Sequence, residues 1–311
     1  MWRDGPGLLL RDISRGTDPQ VQAATEVMTR VQPDVILLQG FDYDLELRAL
    51  TAFRDTLSAA GLHYPYIFAL RPNTGMRTGQ GLDGDGRLAE REDNQGFGSF
   101  SGQAGMAILS RYPIDEGAVQ DLSGILWRDI PGALLPQKNG RPFPSAAALN
   151  DLRLAAVAQW VVPIRHPGGV ITLLAFHASP PVFDGPEDFN GRRNHDQLIF
   201  WQHYMDGLYG AVPDARFVLL GAANQDPLRG DSRNEAIRRL LSDPRLQDTR
   251  PVSPSGQVDT VDWPDPGPGR MRVDYILPSR DWTVVGSGVY WPGTDAGKTA
   301  SRHRLVWVDL H

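Results

Sequence analysis

A few short segments carry side chains able to move protons or hold an anion. His177 closes the apolar run Val170 to Phe176, which sets an imidazole at a strand end. Asp274 lies in Val273-Asp274-Tyr275, and His303 follows Arg302 near the far end of the chain. A carboxylate beside an imidazole fixes its tautomer and supports its charged form, which is the equipment of general acid–base chemistry. Asn224, in Leu219-Leu220-Gly221-Ala222-Ala223-Asn224, adds a neutral amide. The run Asn190-Gly191-Arg192-Arg193-Asn194-His195-Asp196 precedes a helix predicted from Asn194 to about Leu208. Planar Arg donors and free helix amides suit a phosphate or another anion. The plainer alternative is a solvated loop whose charges cap the helix. A histidine at a strand end is more often a structural hydrogen-bonder than a catalyst, so context must carry the reading.

Other acids read as structural. Asp42 and Asp44 share a face with position 40 only if the strand continues, and they read as loop-structuring carboxylates. Asp83-Gly84-Asp85-Gly86 resembles a calcium loop only faintly, because it lacks the glycine and glutamate such a loop needs. The chain has no cysteine, which excludes disulfides, thiolate nucleophiles and zinc–thiolate sites.

The elements that position these residues follow from pattern. Asp18-Pro19 opens a helix, and Val21, Ala24, Val27, Met28 and Val31 repeat at helical spacing up to Pro33. Val35 to Leu38 reads as a fully buried strand, and Leu45 to Ala60 as a helix stopped at Gly61. Arg71 to Gly105 reads as a long loop, Met106 to Leu109 as a short strand and Gly117 to Ala147 as irregular. Strands are predicted at Arg153 to Ile164 and Val170 to Phe176, joined by the turn His166-Pro167-Gly168-Gly169, and at Phe217 to Leu220. Ser232 and Glu235 suggest a capping box ahead of a helix with Ile237, Leu240 and Leu241 inward. Arg272 to Leu277, Trp282 to Tyr290 and Leu305 to Leu310 finish as strands.

The net charge of -6 argues against bulk electrostatic binding of nucleic acid, though it leaves room for a local cationic pocket. No apolar run reaches the length of a membrane span, so no membrane partner is expected. The first residues lack the features of a signal peptide.

Taken in order, six phrases resemble those of the endonuclease/exonuclease/phosphatase family of DNase-like metal-dependent phosphoesterases, in particular a secreted bacterial branch. They are PDVILLQGFDYD (Pro33 to Asp44), GMAILSRYPI (Gly105 to Ile114), FHASPPVFDGPEDFNGRRNHDQ (Phe176 to Gln197), LLGAANQDP (Leu219 to Pro227), RVDYILPS (Arg272 to Ser279) and SRHRLVWVDL (Ser301 to Leu310). The resemblance spans Leu8 to Leu310. It implies an α+β fold, a four-layer α/β sandwich of two packed, mainly antiparallel sheets flanked by helices, in one domain over residues 1–311. It also implies a phosphate-contacting role for His177, a surviving site amide in Asn224, and an Asp274–His303 dyad.

In the family, a Glu after the second strand, the Asp of G-D-x-N and the Asp of S-D-H hold acids. Here those places carry Gly40, Ala222 and Arg302. The family normally uses magnesium or manganese, which want oxygen ligands. With these acids replaced, the expectation is no metal, an Arg302 guanidinium supplying a fixed positive charge, and Arg192 and Asn194 helping to hold substrate. One reading is then a divergent phosphoesterase-like hydrolase with a phosphate pocket. The other is a non-catalytic binding or scaffold protein on the same fold. Both expect a small phosphate-containing or other anionic ligand rather than nucleic acid. Oligomeric state is not legible.

The family's first strand has no counterpart ahead of Met1-Trp2, and a shortened start is favoured over loss of a core strand. An upstream signal peptide would make the protein secreted or periplasmic.

Overall fold

The computed structural model describes residues 1–263, 266–291 and 295–311. The chain runs through α1 (Leu8–Arg15), α2 (Pro19–Val31), β1 (Val35–Phe41), α3 (Arg48–Ala59), β2 (Tyr66–Phe68) and β3 (Gly105–Ser110). Then follow β4 (Gln120–Asp121), β5 (Gln137–Lys138), β6 (Arg141–Pro142), α4 (Ala146–Asp151), β7 (Ala158–His166), β8 (Gly169–His177), α5 (Phe189–Met205) and β9 (Phe217–Ala222). Last come α6 (Glu235–Leu241), β10 (Val261–Trp263), β11 (Gly269–Met271), β12 (Asp274–Pro278), β13 (Val284–Tyr290), α7 (Asp295–Ala300) and β14 (Leu305–Leu310).

Side-chain alternation along the strands builds four layers. In β1, Ile36 and Leu38 pack outward with Leu9, Val21, Met28 and Phe53 of α1, α2 and α3. Val35 and Leu37 face the other way, toward a core of Ile108, Trp160, Val162, Leu173 and Val218 between the sheets. In β8, Leu173 and Ala175 join that inner core, while Leu174 and Phe176 join Phe200, Trp201 and Ile237 beneath α5 and α6. The order is therefore helices, sheet, sheet, helices, as expected. One sheet is β1-β3-β2 and the other is β12-β9-β8-β7-β4; β13 and β14 form a separate hairpin. Among the described residues, every pairing between these strands except β8–β9 is antiparallel. Among the described residues, no helix is long and apolar enough to cross a membrane.

The predicted helix over Pro19–Val31 forms, with the Asp18 side chain accepting from the Val21 amide. Several boundaries differ from expectation. The helix expected from Asn194 begins at Phe189, because the Asp184 carboxylate accepts the Asn190 and Gly191 amides and starts it early. The strand expected from Arg153 begins at Ala158, because carbonyls of Arg153, Leu154 and Ala155 are turned to the Arg193 guanidinium. The capping box does not form: Ser232 bonds to the Asn234 side chain, and Asn234 is the N-cap without a side-chain cap. The short helix α1, bounded by left-handed Gly7 and Gly16, was not anticipated.

At Gly221 the backbone of β9 lies close against that of β8. A Cβ there would lie 1.9 Å from the Phe176 carbonyl oxygen, so the parallel pair closes only around a residue without one. Gly221→Ala is therefore expected to lower the unfolding free energy by about 2 kcal/mol or more through overpacking, measured by urea denaturation.

Candidate functional site

Strand register assembles the site. β8 runs parallel to β9 with His177 opposite Ala222, and β12 runs antiparallel to β9 with Asp274 opposite Ala222. His177, Ala222 and Asp274 thus form a row across neighbouring strands. His303 enters just before β14, and its Nδ1 lies 2.9 and 3.0 Å from the two Asp274 carboxylate oxygens. Thr260 completes the mount: its hydroxyl donates to Asp274 Oδ2 at 2.8 Å and accepts the Val273 and Asp274 amides. The Trp263 ring meets the His303 ring edge-on at 5.7 Å and limits its rotation.

The two imidazoles are driven apart electrostatically. For His303, burial opposes the charge, but attraction and hydrogen bonding from Asp274 outweigh it, and the pKa rises above the ordinary 6.5. For His177, burial and then repulsion from His303 dominate over attraction to Asp274, and the pKa falls to about 4. His177 is therefore neutral at pH 7, while His303 keeps its proton to higher pH than a free imidazole. The His177 Nδ1 is buried with no hydrogen-bond partner among the described residues.

Asn224 is brought beside this row. It adopts a left-handed conformation (φ 52°), its amide donates to the Val273 carbonyl, and its Nδ2 donates to the Ala178 carbonyl at 2.8 Å. That bond uses one of the two Nδ2 hydrogens and holds the amide in place, while the other hydrogen and Oδ1 have no partner among the described residues.

Asn194 is fully buried at 0 % exposure, and its Nδ2 donates to the carbonyls of Ser179 and Ala223 while its Oδ1 accepts from Gln225. It ties together the loops that follow His177 and Ala222, and no part of it is free for substrate. Arg192 is half-buried, and its Nε donates to the Glu187 carbonyl. Both residues lie inside α5 rather than ahead of it, and the amides expected to hold an anion are taken by Asp184. Arg302 lines the same cleft as Gly40, His177, Ala222 and His303. It is exposed, and among the described residues its guanidinium makes no hydrogen bond or ion pair.

Gly40 is the residue displaced where β1 slips register against β3, at φ 65°. The nearest atom to a Cβ there is Trp2 Cδ1 at 3.6 Å, so space is available but the backbone is not suited to an L side chain. Its carbonyl accepts the Met1 nitrogen at 2.6 Å. Beside it, Gln39 Oε1 accepts the Ala222 amide at 3.0 Å and links the two sheets. Asp42 accepts the Arg3 and Ala104 amides, and Asp44 those of Arg48 and Ala49, as expected for loop-structuring acids.

For a divalent ion the row offers Asp274, already engaged by Thr260 and His303, and no side-chain donor at Gly40 or Ala222. Among the described residues, the cluster of three potential ligands lies elsewhere, in Asp83, Asp85 and Glu90. There Asp83 and Asp85 accept the amides of Asp85 and Arg87 and shape their own loop.

Thr260, Trp263 and Gln39 escaped the sequence reading. Each acts through a partner distant in sequence, and only the alternation of Thr260 to Trp263 hinted at a strand.

The sequence model of the endonuclease/exonuclease/phosphatase family matches residues 11–303. No curated protein matches the chain. Among solved structures, an endonuclease/exonuclease/phosphatase from Beutenbergia cavernae is similar at 20% identity and TM-score 0.59, over 94% of this chain and 65% of that one. The chain thus spans just under two thirds of that protein's length. The Bacteroides thetaiotaomicron mannosyl-6-phosphatase is similar at 15% identity and TM-score 0.53, over 97% and 94% of the two chains. The human Nocturnin catalytic domain is similar at 15% identity and TM-score 0.50, over 95% and 87%. At these identities the likeness is one of fold.

The opposed histidine shifts give a stability profile with two limbs. A depressed His177 pKa means that stability present above pH 6.5 is lost as pH falls toward 4, by on the order of 3 kcal/mol for a shift of that size. A raised His303 pKa means that its contribution, full below pH 6.5, is lost as pH rises through the folded value. Denaturation across pH 4 to 9 is expected to lose the acid limb in His177→Gln and the alkaline limb in His303→Gln.

Proposed function

Since the chain belongs to the endonuclease/exonuclease/phosphatase family, whose model covers residues 11–303, we propose that it is a divergent phosphoesterase-like protein that binds a small phosphate-bearing anion without a metal. The observation that carries this reading is the Asp274–His303 pair standing next to a neutral His177. A protonated imidazole held by a carboxylate is a directed cationic donor. The Arg302 guanidinium at the rim, without a partner among the described residues, adds a planar donor fork suited to phosphate. Asn224 and Thr260 hold the surrounding loops and Asp274 in place.

The donor set does not fit a magnesium-type ion, which draws on one or two carboxylates plus waters. Asp274 is the carboxylate in the row, and drawing it to a metal would release His303. Without a metal there is no ready source of hydroxide at neutral pH. His177, with a pKa of about 4, is a weak base for activating water. His303 is better placed as an acid toward a leaving group. The pocket therefore binds more readily than it turns over, and hydrolysis is slow.

The same features support a second reading, a binding protein with no turnover, since Gly40 and Ala222 contribute no side-chain ligands. Similar folds include proteins named as a mannosyl-6-phosphatase and as Nocturnin, so the fold leaves open which phosphate compound is held.

Titration with inorganic phosphate, followed by calorimetry, tests the pocket. Binding is expected to strengthen as pH falls through the His303 titration, and Arg302→Ala and His303→Gln are each expected to weaken it about tenfold, or ~1.4 kcal/mol. An aryl phosphodiester assayed with magnesium, manganese or chelator separates the alternatives. Slow chelator-insensitive turnover supports the hydrolase, and binding without turnover supports the non-catalytic reading. Turnover that requires metal overturns the cationic pocket.

A further inference from the structure

The space that a side chain at position 40 would enter is bounded by an indole. A Cβ on Gly40 would meet Trp2 Cδ1 at 3.6 Å, an ordinary van der Waals distance. The cleft therefore presents an aromatic ring at the place where the family resemblance implies a carboxylate. Trp2 is 53 % exposed, although tryptophan is on average a well-buried residue. Its backbone is nonetheless held, because the next residue is tied on several sides. The Arg3 amide donates to Asp42 Oδ2 at 2.8 Å, and the Arg3 carbonyl accepts Gln103 Nε2 at 2.7 Å. The Arg3 guanidinium pairs with Asp12 and Asp18 at 2.7 and 2.9 Å. An open ring on a fixed backbone is a preorganised contact surface.

This ring lines the same cleft as the charged row. Gln39, the neighbour of Gly40, accepts the Ala222 amide at 3.0 Å. Ala222 stands opposite both His177 and Asp274, and Asp274 holds His303. Trp263 then meets His303 edge-on. Trp263 is half-buried and packs with Val261, Met271 and Val273, so it serves to hold His303, and Trp2 is the more open ring of the two.

The wall beside Trp2 selects what can lie on it. Gln20, Ala24 and Val27 of α2 line the cleft there. Both ends of Gln20 are engaged: its Oε1 accepts Arg3 Nη1 at 2.8 Å, and its Nε2 donates to the Ala300 carbonyl at 3.1 Å. A polyol laid on Trp2 would press hydroxyls against Ala24 and Val27 without partners, which costs free energy. A flat aromatic group needs no such partners and gains from ring–ring contact.

We propose that the cleft takes a phosphate ester whose organic part is a planar aromatic group, with the phosphate on Arg302 and His303 and the ring against Trp2. This inference rests on the anion pocket argued above and adds which esters that pocket prefers. Charge and shape then act on separate parts of the ligand. The cations set the affinity for phosphate, and Trp2 sets the preference among esters. A stacking platform accepts any planar ring, so the class covers both aryl phosphates and nucleotides.

Calorimetric titration of the full chain with inorganic phosphate, naphthyl phosphate, adenosine monophosphate and glucose phosphate tests it. The aromatic esters are expected to bind about tenfold more tightly than inorganic phosphate, and glucose phosphate no more tightly. Trp2→Ala is expected to remove the gain, and Trp2→Phe, which keeps a ring, to retain most of it. A gain with naphthyl phosphate alone supports the platform and assigns it to aryl esters; a gain with adenosine monophosphate alone supports it and assigns it to nucleotides. Phosphate binding with no gain from a ring, a gain undiminished in Trp2→Ala, or glucose phosphate bound as tightly as the aromatic esters overturns this inference and leaves the anion pocket standing. No binding of any of these compounds overturns both.

Discussion

The site depends on the register of three strands, and that register depends on one close approach. β8 and β9 lie side by side only because Gly221 offers no Cβ to the Phe176 carbonyl. Next to that contact, Ala222 stands opposite both His177 and Asp274. A slip of one residue would turn the row toward the opposite face of the sheet. The Gln39 side chain, reaching from the other sheet to the Ala222 amide, ties the same row to β1. The functional groups thus rest on regular strands more than on loops, which favours fixed geometry.

The electrostatics of the row differ from those of the whole molecule. The chain carries a net charge of -6, yet the row holds one carboxylate shared between Thr260 and His303, with Arg302 exposed at the rim. Asp274 favours charge on the nearer imidazole, and that charge disfavours a second one on His177. Burial is the larger cause of the neutral His177, and the charge that Asp274 favours on His303 adds to it. On the proposed reading, an acidic surface around a cationic pocket would admit small anions while giving a long polyanion little to grip.

Elements whose cause is local were legible in the sequence. Asp18-Pro19 and the apolar repeat after it gave α2, and the turn His166 to Gly169 gave the β7–β8 hairpin. Elements whose cause is distant were not. The start of α5 is set by Asp184, and the start of β7 by Arg193, which is 4 % exposed and donates to carbonyls of four residues. In the site, the Asp274–His303 pairing was legible only from the order of the phrases, since 29 residues separate the two. Asn194 was misplaced as a ligand contact because residue type alone does not tell a buried amide from an open one. Thr260 was invisible because its role is to hold another side chain.

Gly40 has a consequence for descent. Its backbone sits at φ 65° inside a slip of strand register, so any L residue introduced there begins from a strained conformation even though the volume beside it is open. Acquiring an acid at this spot by one codon change would pass through a less stable protein before any new chemistry could be selected. The geometry works as a ratchet: mutation can sample the neighbouring chemistries, but the route that leads through position 40 needs the surrounding backbone to change first.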